Sequence, residues 1–119
     1  MTSAATTDPS CLFCRIARRE IPSTPVYEDE EFFAFRDIAP KAPTHVLVVP
    51  KKHLARLSEA SPSDAPLLAR LFLVLAAVAK AERAVDYRLV VNNGADAGQS
   101  VDHLHVHLLA GRSFSWPPG

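Results

Sequence analysis

Net charge is the first thing this 119-residue chain lacks: thirteen lysines and arginines offset thirteen aspartates and glutamates. A protein that grips nucleic acid or another polyanion carries a cationic surplus, so that class is set aside, although one small anion in a local pocket stays compatible. Cysteine is nearly absent too, with Cys11 and Cys14 the only two. That is too few for a disulfide scaffold, and a C-x-x-C pair in an intracellular setting points to metal or redox chemistry. No apolar run is long enough for a bilayer: Leu67 to Ala79 spans 13 residues and contains Arg70, against the ~20 a spanning helix needs. The opening MTSAATTDPS has neither the basic nor the apolar part of a secretory signal. We read residues 1–10 as a flexible arm ahead of one domain over 11–119, in a soluble, cytoplasmic protein with no membrane or nucleic-acid partner. The hydrophobic share of 48% is enough for a core.

Coarse patterning supplies the elements. CLFCRIARREIPS reads as a short helix stopped near Ile21-Pro22. PVYEDEEFFAFRDIAP reads as two strands, Val26-Tyr27 and Phe32 to Asp37, around an acidic turn. The β-branched run THVLVVP, residues 44–50, predicts a central strand ended by Pro50. SPSDAPLLARLFLVLAAVAKAERA predicts the one long helix, with Ser63 or Asp64 as cap and Pro66 in its first turn. It is apolar nearly all round, which predicts burial on two sides, the second most simply against another subunit. YRLVVNNG predicts a further strand closed by the Asn93-Gly94 turn. Strands, one helix, then two strands argue an α+β fold with an antiparallel sheet of about five strands.

The stretch HLHVHLL, residues 103–109, holds three of the five histidines at alternate positions. Strand periodicity projects His103, His105 and His107 from one face, roughly 6–7 Å apart, with Leu104, Val106 and Leu108 turned into the core. Buried rings need hydrogen-bond partners, so polar packing alone is a poor account of three in register. A single metal held by all three is strained, since the outer pair lie about 13 Å apart along a strand. Nucleophilic catalysis fits the spacing better. The middle ring, His105, can attack while its neighbours position it, and an imidazole of ordinary pKa near 6.5 is mostly neutral at physiological pH. The preceding GADAGQS loop offers backbone N–H groups and the Ser100 hydroxyl to a phosphate.

QSVDHLHVHLLAGR resembles the His-x-His-x-His-x-x signature of the histidine triad family. CLFCRIARREIPSTPVYEDEEFFAFRDIAPKAPTHVLVVPKKH, YRLVVNNGADAGQS and the closing WPPG extend the resemblance over residues 11 to 119, toward the histidine triad nucleotide-binding branch. Only the long helix is generic. The resemblance implies a homodimer that binds purine nucleoside monophosphates such as AMP and cleaves the P–N bond of nucleoside 5'-phosphoramidates or related adenylates. It implies that His105 is the nucleophile, that His107 hydrogen-bonds a non-bridging phosphate oxygen, and that His45 supports the cluster. Ser100, with the backbone at Gly98 and Gln99, would hold the phosphate and help the leaving amine. Asp37 would take the ribose hydroxyls, Phe35 and Ile38 would wall the purine, and Asn92 would contact phosphate. Trp116 would reach the partner's pocket. No cofactor is implied for catalysis.

Each role has a plainer counterpart: Asp37 and Asn92 as turn residues, Phe35 and Ile38 as core, Trp116 as a docked terminus. Lys51 and Lys52 are read as solvated rather than phosphate-binding. Two departures stand out. Asp102 replaces a tyrosine common in relatives, and Ala97 a second glycine of the loop. Cys11 and Cys14 have zinc-ligand spacing, and His53 of PKKH with His103 would complete a tetrahedral site like that of zinc-bearing bacterial relatives. The plainer alternative is two reduced thiols, and a thioredoxin-type role fits poorly. The functional alternatives are a dinucleoside polyphosphate hydrolase of the same superfamily and a non-catalytic nucleotide-binding regulatory protein. A nucleotidylyltransferase is disfavoured, since that branch carries glutamine where His107 stands.

Overall fold

The computed structural model describes residues 7–119. The arm read over residues 1–10 therefore lies outside the described residues for positions 1–6. From Asp8 onward the chain makes a hydrogen-bonded turn, with Ser10 N–H and Oγ both donating to Asp8 Oδ1 and Cys11 N–H to the Asp8 carbonyl. The turn leads into helix α1, Leu12–Ala17. Strands β1 (Pro25–Glu28), β2 (Phe32–Arg36) and β3 (Thr44–Pro50), helix α2 (Ala65–Ala81), and strands β4 (Tyr87–Val90) and β5 (Val106–Ala110) follow. The five strands form one antiparallel sheet in the order β1-β2-β3-β5-β4. This is the α+β architecture expected, with one long helix and a short N-terminal one.

The sheet's period-two alternation sorts side chains onto two covered faces. Phe32 and Ala34 of β2, Val46 and Val48 of β3, and Val106 and Leu108 of β5 pack with Leu67, Leu71, Val74, Leu75 and Val78 of α2. At about 1.5–3 kcal/mol for each fully buried large apolar side chain, this layer is the main source of stability. Phe33, Phe35, Leu47 and Val49 face the other way and pack with Phe13, Ile16 and Ala17 of α1. In the register of β3 with β5, Leu47 pairs with His107 and His45 with Leu109. His45 and His107 are therefore diagonal neighbours on the α1 face.

Two strand boundaries differ from those expected. Strand β5 begins at Val106, so only His107 of the three histidines lies on it. Pro50 has no N–H to extend the ladder, and its carbonyl accepts the His103 Nε2–H at 2.7 Å instead. Upstream, His103 N–H closes a tight turn on Val101 O, and Leu104 N–H reaches the loop carbonyl of Leu54. Strand β2 likewise stops at Arg36, one residue short of Asp37.

Helix α2 buries one side only in this chain. Phe72 and Leu73, 61% and 70% exposed, lie on the other. Asp64 stands at its N-cap, but the carboxylate makes no cap bond to α2; it accepts from Ser61 N–H and Lys52 Nζ. Lys51 pairs with Glu28 at the surface, so both lysines are taken up in ion pairs, Lys52 with the buried Asp64 carboxylate. Among the described residues no helix is long and apolar enough to cross a membrane.

Candidate active site

Three histidines converge because their backbones sit on adjacent strands and on the segment leading into β5. The His105 and His107 ring centroids are 5.1 Å apart, and those of His45 and His107 5.2 Å. The hydrogen bonds assign the protons. Lys41 N–H donates to His45 Nδ1 at 3.0 Å, so His45 carries its proton on Nε2 and donates it to His107 Nδ1 at 2.9 Å. His107 is then left with Nε2–H as a free donor. His105 Nδ1–H donates to the His103 carbonyl at 2.7 Å, so the neutral ring carries its lone pair on Nε2. One ring presents a nucleophilic nitrogen and its neighbour a hydrogen-bond donor, a pairing suited to attack at a phosphorus whose oxygens need stabilising.

Burial favours the neutral forms of His107 and His45. It pushes His107 down from 6.5 to about 4, with the nearby His105 and His45 charges adding to the effect. Burial also lowers His45, against the opposing pull of Asp37.

His105 and His107 line a cavity of about 430 Å³, within the range of small-molecule sites. The same cavity gathers Phe35, Asp37, Ile38, Asn92, Gly98 and Ser100 from distant parts of the sequence. Gly98 has φ +96°, a conformation that disfavours side chains, and a Cβ there would meet Asn92 Nδ2 at 3.7 Å. Ala97 ends the 3₁₀ turn Ala95–Ala97 immediately before it. Asp37 does double duty: Oδ1 caps the turn by accepting Ala39 N–H at 2.8 Å, and Oδ2 lies 3.4 Å from His45 Nε2.

Of the residues assigned to the site from the sequence, His45, Gln99 and Trp116 fall outside the lining, His45 standing behind His107. The Gln99 side chain is buried and braces the loop, donating to the Ala55 and Val101 carbonyls and accepting Gly94 N–H. Its backbone N–H is taken as well, donating to the Gly94 carbonyl at 3.1 Å, and the Gly98 N–H donates to the Ala95 carbonyl at 3.0 Å, so neither is free for the phosphate role expected of them. Trp116 is 81% exposed and lies outside the lining in the single chain. Asp102 also stands outside, 3.1 Å from the Arg56 guanidinium. Sequence reasoning missed the apolar wall made by Leu12, Phe13 and Ile16 of α1 with Ile21, Leu47 and Val101. The three-residue spacing of Phe13 and Ile16 was the available signal, since it places both on one helical face. Phe13 stands edge-on to His105 at 5.0 Å between centroids.

A second cluster adjoins the first. Cys11 Sγ lies 3.3 Å from His103 Nδ1, and Cys14 Sγ lies 3.5 Å from both His53 Nδ1 and His103 Nδ1. Zinc with bonds of about 2.3 Å to sulfur and 2.0–2.1 Å to nitrogen, at tetrahedral angles, requires S···N edges of about 3.5 Å. The four donor atoms all lie within 4.8 Å of one another, so the set fits a tetrahedral metal. The Pro50 carbonyl fixes the His103 proton on Nε2, which turns the Nδ1 lone pair toward the sulfurs. Burial raises the Cys14 thiol to about 11 and lowers His103 to about 4. A bound cation offsets the first effect by holding the thiolate.

The HIT domain family profile matches residues 18–114. An uncharacterized HIT-like protein of Synechocystis sp. is 54% identical over 109 residues, covering 91% of this chain and 96% of its own. The crystal structure of a HIT family hydrolase from Legionella pneumophila superposes with a TM-score of 0.89 at 49% identity, covering 92% of this chain and all of that one. A histidine triad protein from Clostridium difficile gives 0.89 at 41% identity, over 92% and 97% of the two chains. The chain belongs to the HIT domain family.

Proposed function

We propose that this protein, as a member of the histidine triad nucleotide-binding branch, binds a purine nucleoside monophosphate group and hydrolyses nucleoside 5'-phosphoramidates through His105. The observation that carries the reading is the His105 imidazole, tied by Nδ1–H to the His103 carbonyl so that Nε2 is the nitrogen left for attack at the lining of an apolar-walled cavity. The hydrolase named among its structural relatives supports the general class.

In the first step His105 Nε2 forms a bond to the α-phosphorus while the P–N bond breaks. The departing nitrogen gains a proton relayed from solvent through the Ser100 hydroxyl, which is reprotonated in the same relay, and leaves as an amine. His107 Nε2–H donates to a non-bridging oxygen, with its tautomer held by His45. In the second step water attacks phosphorus, the N–P bond breaks, the monophosphate is released, and the water proton passes to solvent. One displacement becomes two easier ones, and the site works by positioning and charge stabilisation. Phe35, Ile38 and the α1 wall hold the base, Asp37 takes the ribose hydroxyls, and Asn92 with Ser100 holds phosphate.

Zinc is the metal proposed for Cys11, Cys14, His53 and His103. It cross-links α1, the loop after β3 and the segment before β5, and supplies no chemistry to the reaction. The exposed Phe72 and Leu73 of α2, with Tyr87 and Val91 at the sheet edge, support a homodimer. The test is steady-state hydrolysis of adenosine 5'-phosphoramidate by the wild type and by His105→Ala. Turnover by the wild type and background rates in the variant are expected. AMP binding without turnover would transfer the protein to the regulatory class.

A further inference from the structure

His103 belongs to both clusters. Its Nδ1 lies 3.3 Å from Cys11 Sγ and 3.5 Å from Cys14 Sγ, its Nε2–H is held by the Pro50 carbonyl, and its own carbonyl accepts the His105 Nδ1–H at 2.7 Å. The side chain is fully buried. A second link runs through α1. Cys11 and Cys14 bracket Phe13, whose ring packs edge-on against both His103 and His105. Helix α1 is only six residues long and makes one wall of the cavity. A segment that short is not stable alone, so its position depends on what anchors it.

The geometry points to His103 as a positioning residue through which occupancy of the Cys11–Cys14–His53–His103 centre sets the alignment and tautomer of His105. The inference rests on His105 being the nucleophile. Loading the centre ties the His103 ring to α1 and to the loop carrying His53, so the carbonyl that orients His105 becomes part of a cross-linked frame. An empty centre leaves that peptide held by the Pro50 bond to the His103 ring, the turn to Val101 and the Leu104 N–H bond to the Leu54 carbonyl, with no tie to α1 or to His53. Misplacing a reacting group by about 1 Å costs on the order of 100-fold in rate, and loss of partners that orient a ligand costs about 10- to 100-fold. The centre therefore acts on kcat, and the nucleotide pocket keeps its affinity.

The experiment compares zinc-loaded protein, protein stripped with a chelator, the same protein given zinc again, and Cys11→Ser. The serine keeps an oxygen acceptor at the N-cap of α1, where Cys11 Sγ takes the Cys14 N–H, but removes a thiolate ligand. Zinc content, the imidazole nitrogen resonances of His105 at fixed neutral pH, and kcat and KM for adenosine 5'-phosphoramidate are measured on each. The loaded protein is expected to hold one zinc per chain and show His105 in a single Nδ1–H tautomer. Stripping or Cys11→Ser is expected to give mixed tautomers and to lower kcat about 10- to 100-fold, with KM within about threefold of the loaded value. Zinc is expected to restore the stripped wild type. If stripping unfolds the chain, Cys11→Ser decides. An unchanged His105 signature with kcat within about twofold overturns the inference, as does a purified protein that takes up no zinc. A loaded wild type without turnover sinks the hydrolase reading instead, and the His105 resonances still decide the coupling.

Discussion

Replacing His45 by alanine deletes the donor that fixes the His107 tautomer. In the wild type, Lys41 N–H, His45 and His107 form a chain in which His45 Nε2–H donates to His107 Nδ1 at 2.9 Å. His45 is 6% exposed, so water does not readily replace the lost partner. A buried acceptor left unsatisfied costs about 1–3 kcal/mol. His107 escapes part of that cost by moving its proton to Nδ1, which removes the Nε2–H donor from the phosphate oxygen. At 1.36 kcal/mol per tenfold in rate, loss of that stabilisation corresponds to a fall in kcat/KM of about 5- to 150-fold. The loss should appear mainly in kcat, because the donor matters most where charge builds on the oxygens. His45→Gln places an amide N–H near the same position and should recover part of it. Steady-state kinetics of both variants with adenosine 5'-phosphoramidate, together with denaturant melts, are the assay. If His45→Ala keeps kcat within about twofold, or raises KM alone, the proton assignment in this network is wrong.

Acid stability should reveal the same buried rings. His45 and His107 are held below the ordinary 6.5, His107 at about 4, so the unfolded chain takes up their protons first. Their contribution is complete above 6.5 and is lost as pH falls from there toward 4. The Tm should decline across that window, less steeply in His107→Gln, and a flat profile would contradict it. Phe72→Glu with Leu73→Glu should convert a dimer to a monomer in sedimentation velocity, whereas a wild type that sediments as a monomer at high concentration refutes the dimer. Gly98→Ala should cost about 1–2 kcal/mol in denaturant unfolding from its positive φ alone, since no close contact opposes a methyl group there.

Much of this architecture was legible from patterning, and the failures have local causes. Residues 44–50 read as a central strand because β-branched residues fill a sheet position buried on both faces. Alternation in HLHVHLL correctly sent Leu104, Val106 and Leu108 to the core but overextended the strand, since it carries no information on whether a ladder partner exists beyond Pro50. Composition showed α2 apolar all round, yet not that one chain covers a single side. The cysteine–histidine cluster joins residues 39 and 89 positions apart, a proximity no periodicity encodes. Resemblance to relatives supplied that grouping, as it did most of the cavity lining. The α1 wall escaped both routes because Phe13 and Ile16 look like ordinary core residues until the cavity beside them is seen.

The most direct test of the central claim is to trap the intermediate. Wild-type protein in excess over adenosine 5'-phosphoramidate is quenched in alkali during a single turnover, and the chain is mapped by mass spectrometry for a nucleotidyl group. The account predicts one transient adduct, on the His105 imidazole, that forms before the monophosphate appears and is absent in His105→Ala. Product formed with no adduct at any time, or an adduct on another residue, would contradict it.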